Sequence, residues 1–358
     1  MSAGIDMTRA DRVAAALDGR AALLVTDLVD IRWLTGFTGS NAVALVGAAG
    51  ERLLLTDFRY LSQVEAQVDA GWERLIRQDL LASVADALPT GRSGFDEHDL
   101  SVHQHQHLLA KVGEGVELEP AGSIVKDLRA IKDEAELVKL RAVAKVADEA
   151  FEEVVSAGLV GRTERDVALD LEIAMRRRGA DGVSFPPIIA AGEHGALPHA
   201  EPRDVPIPAN TLVVIDWGAQ MDGYASDCTR TVATGPLDPR DRAVYDTVLA
   251  AQEAALAAVR PGPTGREVDA VARTIIDEAG HAEHFGHGLG HGVGLEVHEG
   301  PRLSKQGEVA LAPGHVVTVE PGIYVPGAVG VRIEDLVAVT EGGHEVLSSL
   351  PKALRTVD

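Results

Sequence analysis

Apolar and polar positions divide the chain into two stretches of different rhythm. Up to about Pro120, short apolar runs alternate with amphipathic ones. Residues 21–26, 42–46 and 52–55 are dense in aliphatic side chains and predict strands, whereas residues 61–68 and 80–88 carry theirs at helical spacing. Strands alternating with helices predict an α/β domain. Within it, residues 34–41 read as a loop punctuated by Gly36 and Gly39, and residues 56–60 as a strand end turning into a helix capped by Asp57.

Residues 119–133 read as a joint, which divides the chain into domains of residues 1–125 and 126–358. Asp133 with Glu136 forms a capping box, and the apolar spacing after it predicts a helix to about Ala157. A second helix follows Thr163, with Leu169, Leu171, Ala174 and Met175 on its buried side. Residues 183–191 are strand-like, although Pro186-Pro187 confines that strand to an edge or a bend. Residues 238–259 and 264–279 predict two more helices, the latter opened by Thr264 with Glu267. The order helix, helix, strands then occurs twice, which suggests an internal duplication and a pseudo-twofold fold.

A length of 358 residues favours two domains, and 46% hydrophobic residues suffice for a core in each. A formal charge of -22 argues against nucleic acid or an anionic membrane as partner, since both require clustered cations. Cys228 is the single cysteine, so no intrachain disulfide forms. Residues 1–6 lack the pattern of a secretory signal and no apolar run is long enough to span a bilayer, so a cytoplasmic protein is expected. His103, His105 and His107 alternate with glutamines. On a helix, alternate residues point about 200° apart, so these imidazoles are expected on a solvated surface.

The candidate chemistry centres on residues 284–299, where four histidines (His284, His287, His291 and His298) and five glycines fall within sixteen residues. Each glycine gives up about 1 kcal/mol of helix propensity, so this is backbone bending closely around something. Imidazoles gathered there can bind metal or transfer protons near neutral pH. Acidic residues lie on both sides. Residues 211–218 and 224–232 flank Met221-Asp222-Gly223, and a hairpin centred between Met221 and Asp222 sets Asp216 opposite Asp227. Residues 316–322 and 329–335 flank Pro326-Gly327, and a hairpin centred there sets Glu320 opposite Glu334. Carboxylates so close repel unless a cation sits between them.

Asp216, Asp227, Glu320 and Glu334 together with His291 make an oxygen-rich donor set that suits Mn²⁺ and also accommodates Co²⁺ or Zn²⁺. Four acids can bridge two ions about 3.5 to 4 Å apart. Alternation turns Cys228 to the opposite face from Asp227, as a buried apolar residue. It sets Arg332 on the same face as Glu334, in reach of a ligand carboxylate.

Five segments carry a resemblance: Asp216-Trp217-Gly218, Asp227-Cys228-Thr229-Arg230-Thr231, residues 287–299, Glu320-Pro321-Gly322-Ile323-Tyr324 and Val331-Arg332-Ile333-Glu334-Asp335. Together they resemble the signatures of the proline-specific metallopeptidases with the pita-bread fold, the Xaa-Pro dipeptidases (prolidases) and Xaa-Pro aminopeptidases (aminopeptidase P). Residues 34–39 and 56–60 are similar to that group's smaller creatinase-type domain. The resemblance therefore implies a creatinase-type N-terminal domain followed by a pita-bread catalytic domain.

It also implies roles for individual residues. Asp216, Asp227, His291, Glu320 and Glu334 become ligands of a dinuclear centre, with Asp227 and Glu334 bridging and Glu320 also shuttling protons. His298 and His199 match histidines of the substrate pocket, and His287 matches a third, less directly placed. Arg302 stands where prolidase-like members hold an arginine for the substrate's terminal carboxylate, which leans toward a dipeptidase. Tyr324 is expected to line the pocket, and His281 and His284 to be exposed without a role. Short proline-containing peptides are the expected substrates. The N-terminal domain is expected to build a homodimer and close one rim of the neighbouring active site. Creatinase has the same architecture without metal, and pita-bread binding modules typically lose ligands. The intact donor set argues against both.

Overall fold

The structure, a computed structural model, describes residues 7–358; residues 1–6, read above for a targeting signal, lie outside the described residues. Contacts divide the chain into a first unit ending at Arg129 and a second, Ala130–Asp358.

The first unit contains α1 (Arg9–Ala15), β1 (Ala22–Val25), α2 (Leu28–Thr35), β2 (Ala42–Gly47), β3 (Arg52–Thr56), α3 (Leu61–Gln67), β4 (Glu73–Ile76), α4 (Leu80–Ala85), β5 (Gly91–Phe95), α5 (Val102–Leu109), β6 (Val116–Pro120) and α6 (Ile124–Ala130). Its six strands form one mixed sheet in the order β4-β3-β2-β1-β5-β6. β1 and β2 are buried along their whole length, which explains their continuous apolar runs in place of alternation. Leu24, Val43, Leu45, Leu55, Val84 and Leu108 meet in the core on one side of the sheet.

Three expectations need correction here. The span assigned to a loop from Leu34 onward begins inside α2, which ends at Gly36 with φ of 77°. The helix expected over residues 80–88 stops at Ala85, consistent with Pro89 disfavouring helical backbone at Leu88. Asp57 does cap, but its first turn is a short 3₁₀ segment, Phe58–Tyr60. Of the three imidazoles expected on a solvated surface, His103 is exposed but His105 and His107 are half-buried: the His105 ring packs tilted against Phe95 at 5.0 Å and His107 reaches Asp79 at 3.2 Å.

The second unit begins with α7 (Glu134–Ser156), whose Asp133–Glu136 capping box forms as expected, and α8 (Glu164–Arg177). Leu171, Ala174 and Met175 are buried on α8, but Leu169 is 54% exposed. It precedes Leu171 by two residues and so faces away from it. The strand expected over residues 183–191 is broken at its prolines into β7 (Gly182–Val183) and β8 (Ile188–Ala191). Next come β9 (Leu212–Trp217), β10 (Ala219–Met221), β11 (Tyr224–Ala225), β12 (Cys228–Ala233), α9 (Pro239–Ala258) and α10 (Gly265–Glu278). The chain closes with β13 (Gly290–Gly292), β14 (Glu299–Leu303), β15 (Val316–Val319), β16 (Gly322–Val325), β17 (Val329–Arg332), β18 (Asp335–Thr340) and β19 (Gly343–Val346).

Sheets β12-β9-β8 and β14-β13-β15-β18-β19 follow the helix pairs α7–α8 and α9–α10, so the helix, helix, strands pattern does recur. Trp217 ties the first pair to its sheet: its Nε1 donates to Ala147 O at 2.9 Å and its ring stacks on Phe151 at 4.4 Å. In the second half, Val248, Ala251, Ala255, Val268, Ala272 and Ile276 from α9 and α10 join a core with Val317, Val319, Val331 and Val337. No helix among the described residues is long and apolar enough to cross a membrane.

Candidate metal centre

The first acid hairpin forms in a register one step from the expected one. Thr229 lies opposite Asp216 and Met221 opposite Tyr224, which centres the turn on Asp222-Gly223. Both turn residues have positive φ, 51° and 83°, the conformation that an Asp-Gly pair adopts most readily in a two-residue hairpin. Asp227 is thus two residues from the position opposite Asp216. Because side chains alternate, a two-residue offset keeps both acids on one face as diagonal neighbours. The second hairpin forms in the expected register: Val319 pairs with Asp335 and Gly322 with Arg332, which leaves Glu320 and Glu334 opposite each other between the two ladders.

Carboxylate oxygens of Asp216, Asp227 and Glu334 all lie within 4.8 Å of one another. His291 Nε2 is 3.6 Å from Asp227 Oδ2 and 3.3 Å from Glu320 Oε1, so the imidazole links the two hairpins. His291 Nδ1 lies 3.1 Å from Gly292 O, which assigns that nitrogen as the donor and turns Nε2 toward the acids. The strand that carries His291 is squeezed between two others: a β-carbon on Gly290 would lie 2.1 Å from Thr318 O, and one on Gly292 2.0 Å from Gly300 O. The glycines permit that close approach.

Two carboxylate charges 4.8 Å apart repel by about 3 kcal/mol at an effective dielectric of about 20. Burial, followed by the charge of neighbouring acids, accordingly raises Asp227 and Glu334 well above the usual carboxylate range. Burial raises Asp216 as well, against the opposing pull of Arg332. Burial opposes ionisation of Glu320 too, but its bond to His291 and that imidazole's charge outweigh burial and hold it below the usual range. Conversely, burial disfavours charge on His291, and Glu320 outweighs burial and raises it. Asp216 Oδ1 and Glu334 Oε1 are buried without a hydrogen-bond partner among the described residues. Orphaned oxygens in a crowd of buried acids fit a divalent cation, which neutralises the repulsion and occupies the open lone pairs.

Supporting side chains orient the acids. Thr229 Oγ1 donates to Glu334 Oε2 at 2.7 Å, and Thr318 Oγ1 donates to Glu320 Oε1 at 3.1 Å. The sequence reading missed both threonines, although each stands two residues from an acid on its own strand and so shares its face. Arg332 reaches a ligand carboxylate as expected, and that carboxylate is Asp216 on the other hairpin: Nη2 donates to Oδ2 at 2.5 Å, while Nη1 donates to Tyr324 Oη at 2.7 Å. Tyr324 is buried, and its Oη lies 3.0 Å from His287 Nε2. His287 Nδ1 faces Gly288 O at 2.7 Å, so Nε2 accepts from Tyr324. A chain His287–Tyr324–Arg332–Asp216 results. Behind the sheet, Arg230 donates to Glu334 O and pairs with Asp335 at 2.8 Å.

Above the buried acids stand more accessible groups. The His298 ring lies 4.3 Å from that of His291; His298 is exposed, and partial burial of its ring followed by the His291 charge lowers its pKa. His199 and Arg302 are both exposed, and both lie close enough to His298 to disfavour its charge. His281 and His284 are half-buried rather than exposed, with their Nδ1 atoms 3.1 Å apart. Cys228 is buried as expected.

The histidine-bearing loops are braced by charges that the sequence reading also missed. Arg273 on α10 donates to Phe285 O at 3.0 Å and His287 O at 2.8 Å, and its partner Asp269 accepts from Leu289 N at 3.0 Å. Their i, i+4 spacing on a predicted helix was the available signal. Glu299 accepts from Glu296 N at 3.1 Å and from buried Lys132 at 3.0 Å, bracing the segment that carries His298.

Residues 138–341 match Metallopeptidase family M24, and residues 9–131 match the Creatinase/Prolidase N-terminal domain. An uncharacterized peptidase of Bacillus subtilis is 40% identical over 93% of this chain and 94% of its own. Among solved structures, an Xaa-Pro dipeptidase from Bacillus anthracis superposes with a TM-score of 0.94 at 37% identity, covering 98% of this chain and 99% of that one. An X-Pro aminopeptidase from Thermotoga maritima superposes with a TM-score of 0.89 at 35% identity, covering 97% of this chain and 100% of that one.

Proposed function

Since the chain belongs to metallopeptidase family M24 and carries a Creatinase/Prolidase N-terminal domain, we propose that it is a metal-dependent Xaa-Pro dipeptidase, hydrolysing the bond before proline in short peptides. The observation that carries this reading is the cluster of Asp216, Asp227 and Glu334 joined through His291 to Glu320. These five residues would hold two divalent ions, with Mn²⁺ preferred for an oxygen-rich set that includes one imidazole. Bound there, the ions supply Lewis-acid polarisation and acidify water at neutral pH.

The chain's own groups handle protons and position. Glu320 takes a proton from the attacking water and passes it to the departing proline nitrogen. That nitrogen carries no N–H in the peptide and its φ is fixed, which is why a dedicated pocket is needed. His298 donates an N–H to the carbonyl oxygen as negative charge develops there. His199 lies close enough to His298 and His287 to act on the same substrate. Tyr324 and Arg332 line the wall beneath, and His287 holds the Tyr324 hydroxyl in place.

Arg302 separates a dipeptidase from its nearest alternative. Its exposed guanidinium stands beside His298, where a planar fork can pair with a C-terminal carboxylate. The similarity to an X-Pro aminopeptidase favours a second reading, in which the pocket stays open past proline. Both are tested by following an Xaa-Pro dipeptide and an Xaa-Pro-Yaa tripeptide with one preparation, stripped of metal and then reconstituted with Mn²⁺. Turnover of the dipeptide alone is expected; preference for the tripeptide makes the protein an aminopeptidase P. A homodimer in the cytoplasm, with the N-terminal unit closing one rim of the neighbouring site, completes the proposal. Full activity of a monomer would refute that last part.

A further inference from the structure

The hydrogen bonds of one buried acid outside the metal site converge on a single loop. Glu164 opens α8 and is fully buried, yet it touches none of the five candidate ligands. Its two oxygens accept from Ala191 N at 3.0 Å, from Arg203 N at 2.9 Å, from the Arg203 Nε and Nη2 fork at 3.0 Å each, and from His194 Nδ1 at 3.0 Å. Ala191 ends β8, and Arg203 lies where the excursion after β8 returns. One carboxylate therefore grips the backbone at both ends of the loop that carries His199, and a side chain between them. Burial alone would favour the neutral acid, but the Arg203 fork and the two backbone N–H groups outweigh it and hold Glu164 below the usual range.

Farther along, the same loop is seated on β17. A β-carbon on Gly330 would lie 1.7 Å from Gly195 O, so the two backbones touch. Pro198 O accepts from Arg332 Nη1 at 3.2 Å. His199 is the next residue, exposed beside His298 and His287. An apolar side chain at position 164 would fill the same space but fix neither loop end in direction.

We propose that Glu164 is a positioning residue for the reaction: by tying both ends of the loop between Ala191 and Arg203 it sets where the His199 imidazole meets the substrate. This rests on the reading that His199 acts on substrate. The loop is thereby treated as part of the substrate pocket, held from behind by a charge rather than by packing.

The test is a double-mutant cycle on the metal-loaded protein, reading kcat/KM for an Xaa-Pro dipeptide in the parent, Glu164→Gln, His199→Ala and the double variant. Glu164→Gln keeps the volume and removes the charge. A loss of about 10-fold is expected in the parent background, as for other supporting partners of reacting groups. In the His199→Ala background the further loss is expected to shrink below about 2-fold, because the residue through which Glu164 acts is gone. A general structural role moves both backgrounds equally, and that result overturns the proposal. If His199→Ala by itself leaves kcat/KM unchanged, the role given to His199 fails first and the proposal falls with it. Should Glu164→Gln not fold, Arg203→Lys runs the same cycle: it keeps the cation, loses the fork, and is expected to cost a smaller factor with the same dependence on His199.

Discussion

Replacing Asp227 by asparagine should move metal-free stability and metal response in opposite directions. Without metal, Asp227 faces Asp216 and Glu334 within 4.8 Å, and each ionised neighbour contributes about 3 kcal/mol of repulsion at an effective dielectric of about 20. The carboxyl escapes part of this by keeping a proton: burial first, and the neighbouring acids second, raise its pKa. An unfolded aspartate releases that proton near pH 4. Above that pH the folded form binds more protons than the unfolded, so metal-free stability falls as pH rises. An amide of the same shape removes the penalty and can donate toward the orphaned oxygens of Asp216 or Glu334.

At pH 7.5, stripped Asp227→Asn is therefore expected to be more stable than the stripped parent by about 2 kcal/mol, or about 4–8 °C in Tm. The gap should narrow toward pH 4. Added Mn²⁺ at one hundred times Kd stabilises the parent by about 2.7 kcal/mol. The variant should lose most of that shift together with its turnover. Differential scanning fluorimetry of both proteins, stripped and loaded, reads all four values. A stripped variant less stable than the parent, or one that retains the parent's full metal shift, would refute the reasoning.

Three further outcomes are expected. His315 is buried, with burial and then Lys132 lowering its pKa to about 4. An unfolded histidine gains its proton near pH 6.5, so this site costs nothing above that pH and up to about 3 kcal/mol as pH falls toward 4; urea unfolding at pH 7 and pH 5 should show His315→Phe flattening the slope. Arg302→Met should raise KM for an Xaa-Pro dipeptide about 10-fold with kcat nearly unchanged, and spare an Xaa-Pro-Yaa tripeptide; equal effects on both substrates would remove Arg302 from carboxylate recognition. Gly330→Ala drives a methyl into Gly195 O, so a loss of about 1–3 kcal/mol in denaturant unfolding is expected, and wild-type stability would refute the close approach.

Much of the fold was legible because local signals agreed with one another. The Asp133–Glu136 and Thr264–Glu267 capping boxes and the apolar spacing behind them mark helices that form where expected. In the second acid hairpin, arithmetic on Pro326-Gly327 led to the observed register. The first hairpin slipped because the centre was set before Asp222, whereas Asp222-Gly223 itself supplies the two positive φ values. Sharing of a face survived the slip, since an offset of two preserves alternation.

Less was legible where a partner lies far along the chain. Alternation placed Arg332 beside Glu334, but its length carries the guanidinium to Asp216 on the other hairpin, a contact that no spacing rule encodes. The same holds for Glu164, which reads as an ordinary residue in the first turn of a helix and becomes a hub through residues between Ala191 and Arg203. Leu169 misled in the opposite sense: an apolar residue within an amphipathic helix, on the face that remains in solvent.

The most direct measurement of the metal centre is a titration of Mn²⁺ into the stripped protein, with bound metal and hydrolysis of an Xaa-Pro dipeptide followed together. Activity absent at zero metal and rising to a plateau at two bound ions per chain is expected. Full hydrolysis without metal, or a plateau unrelated to metal bound, would contradict a centre built from Asp216, Asp227, His291, Glu320 and Glu334.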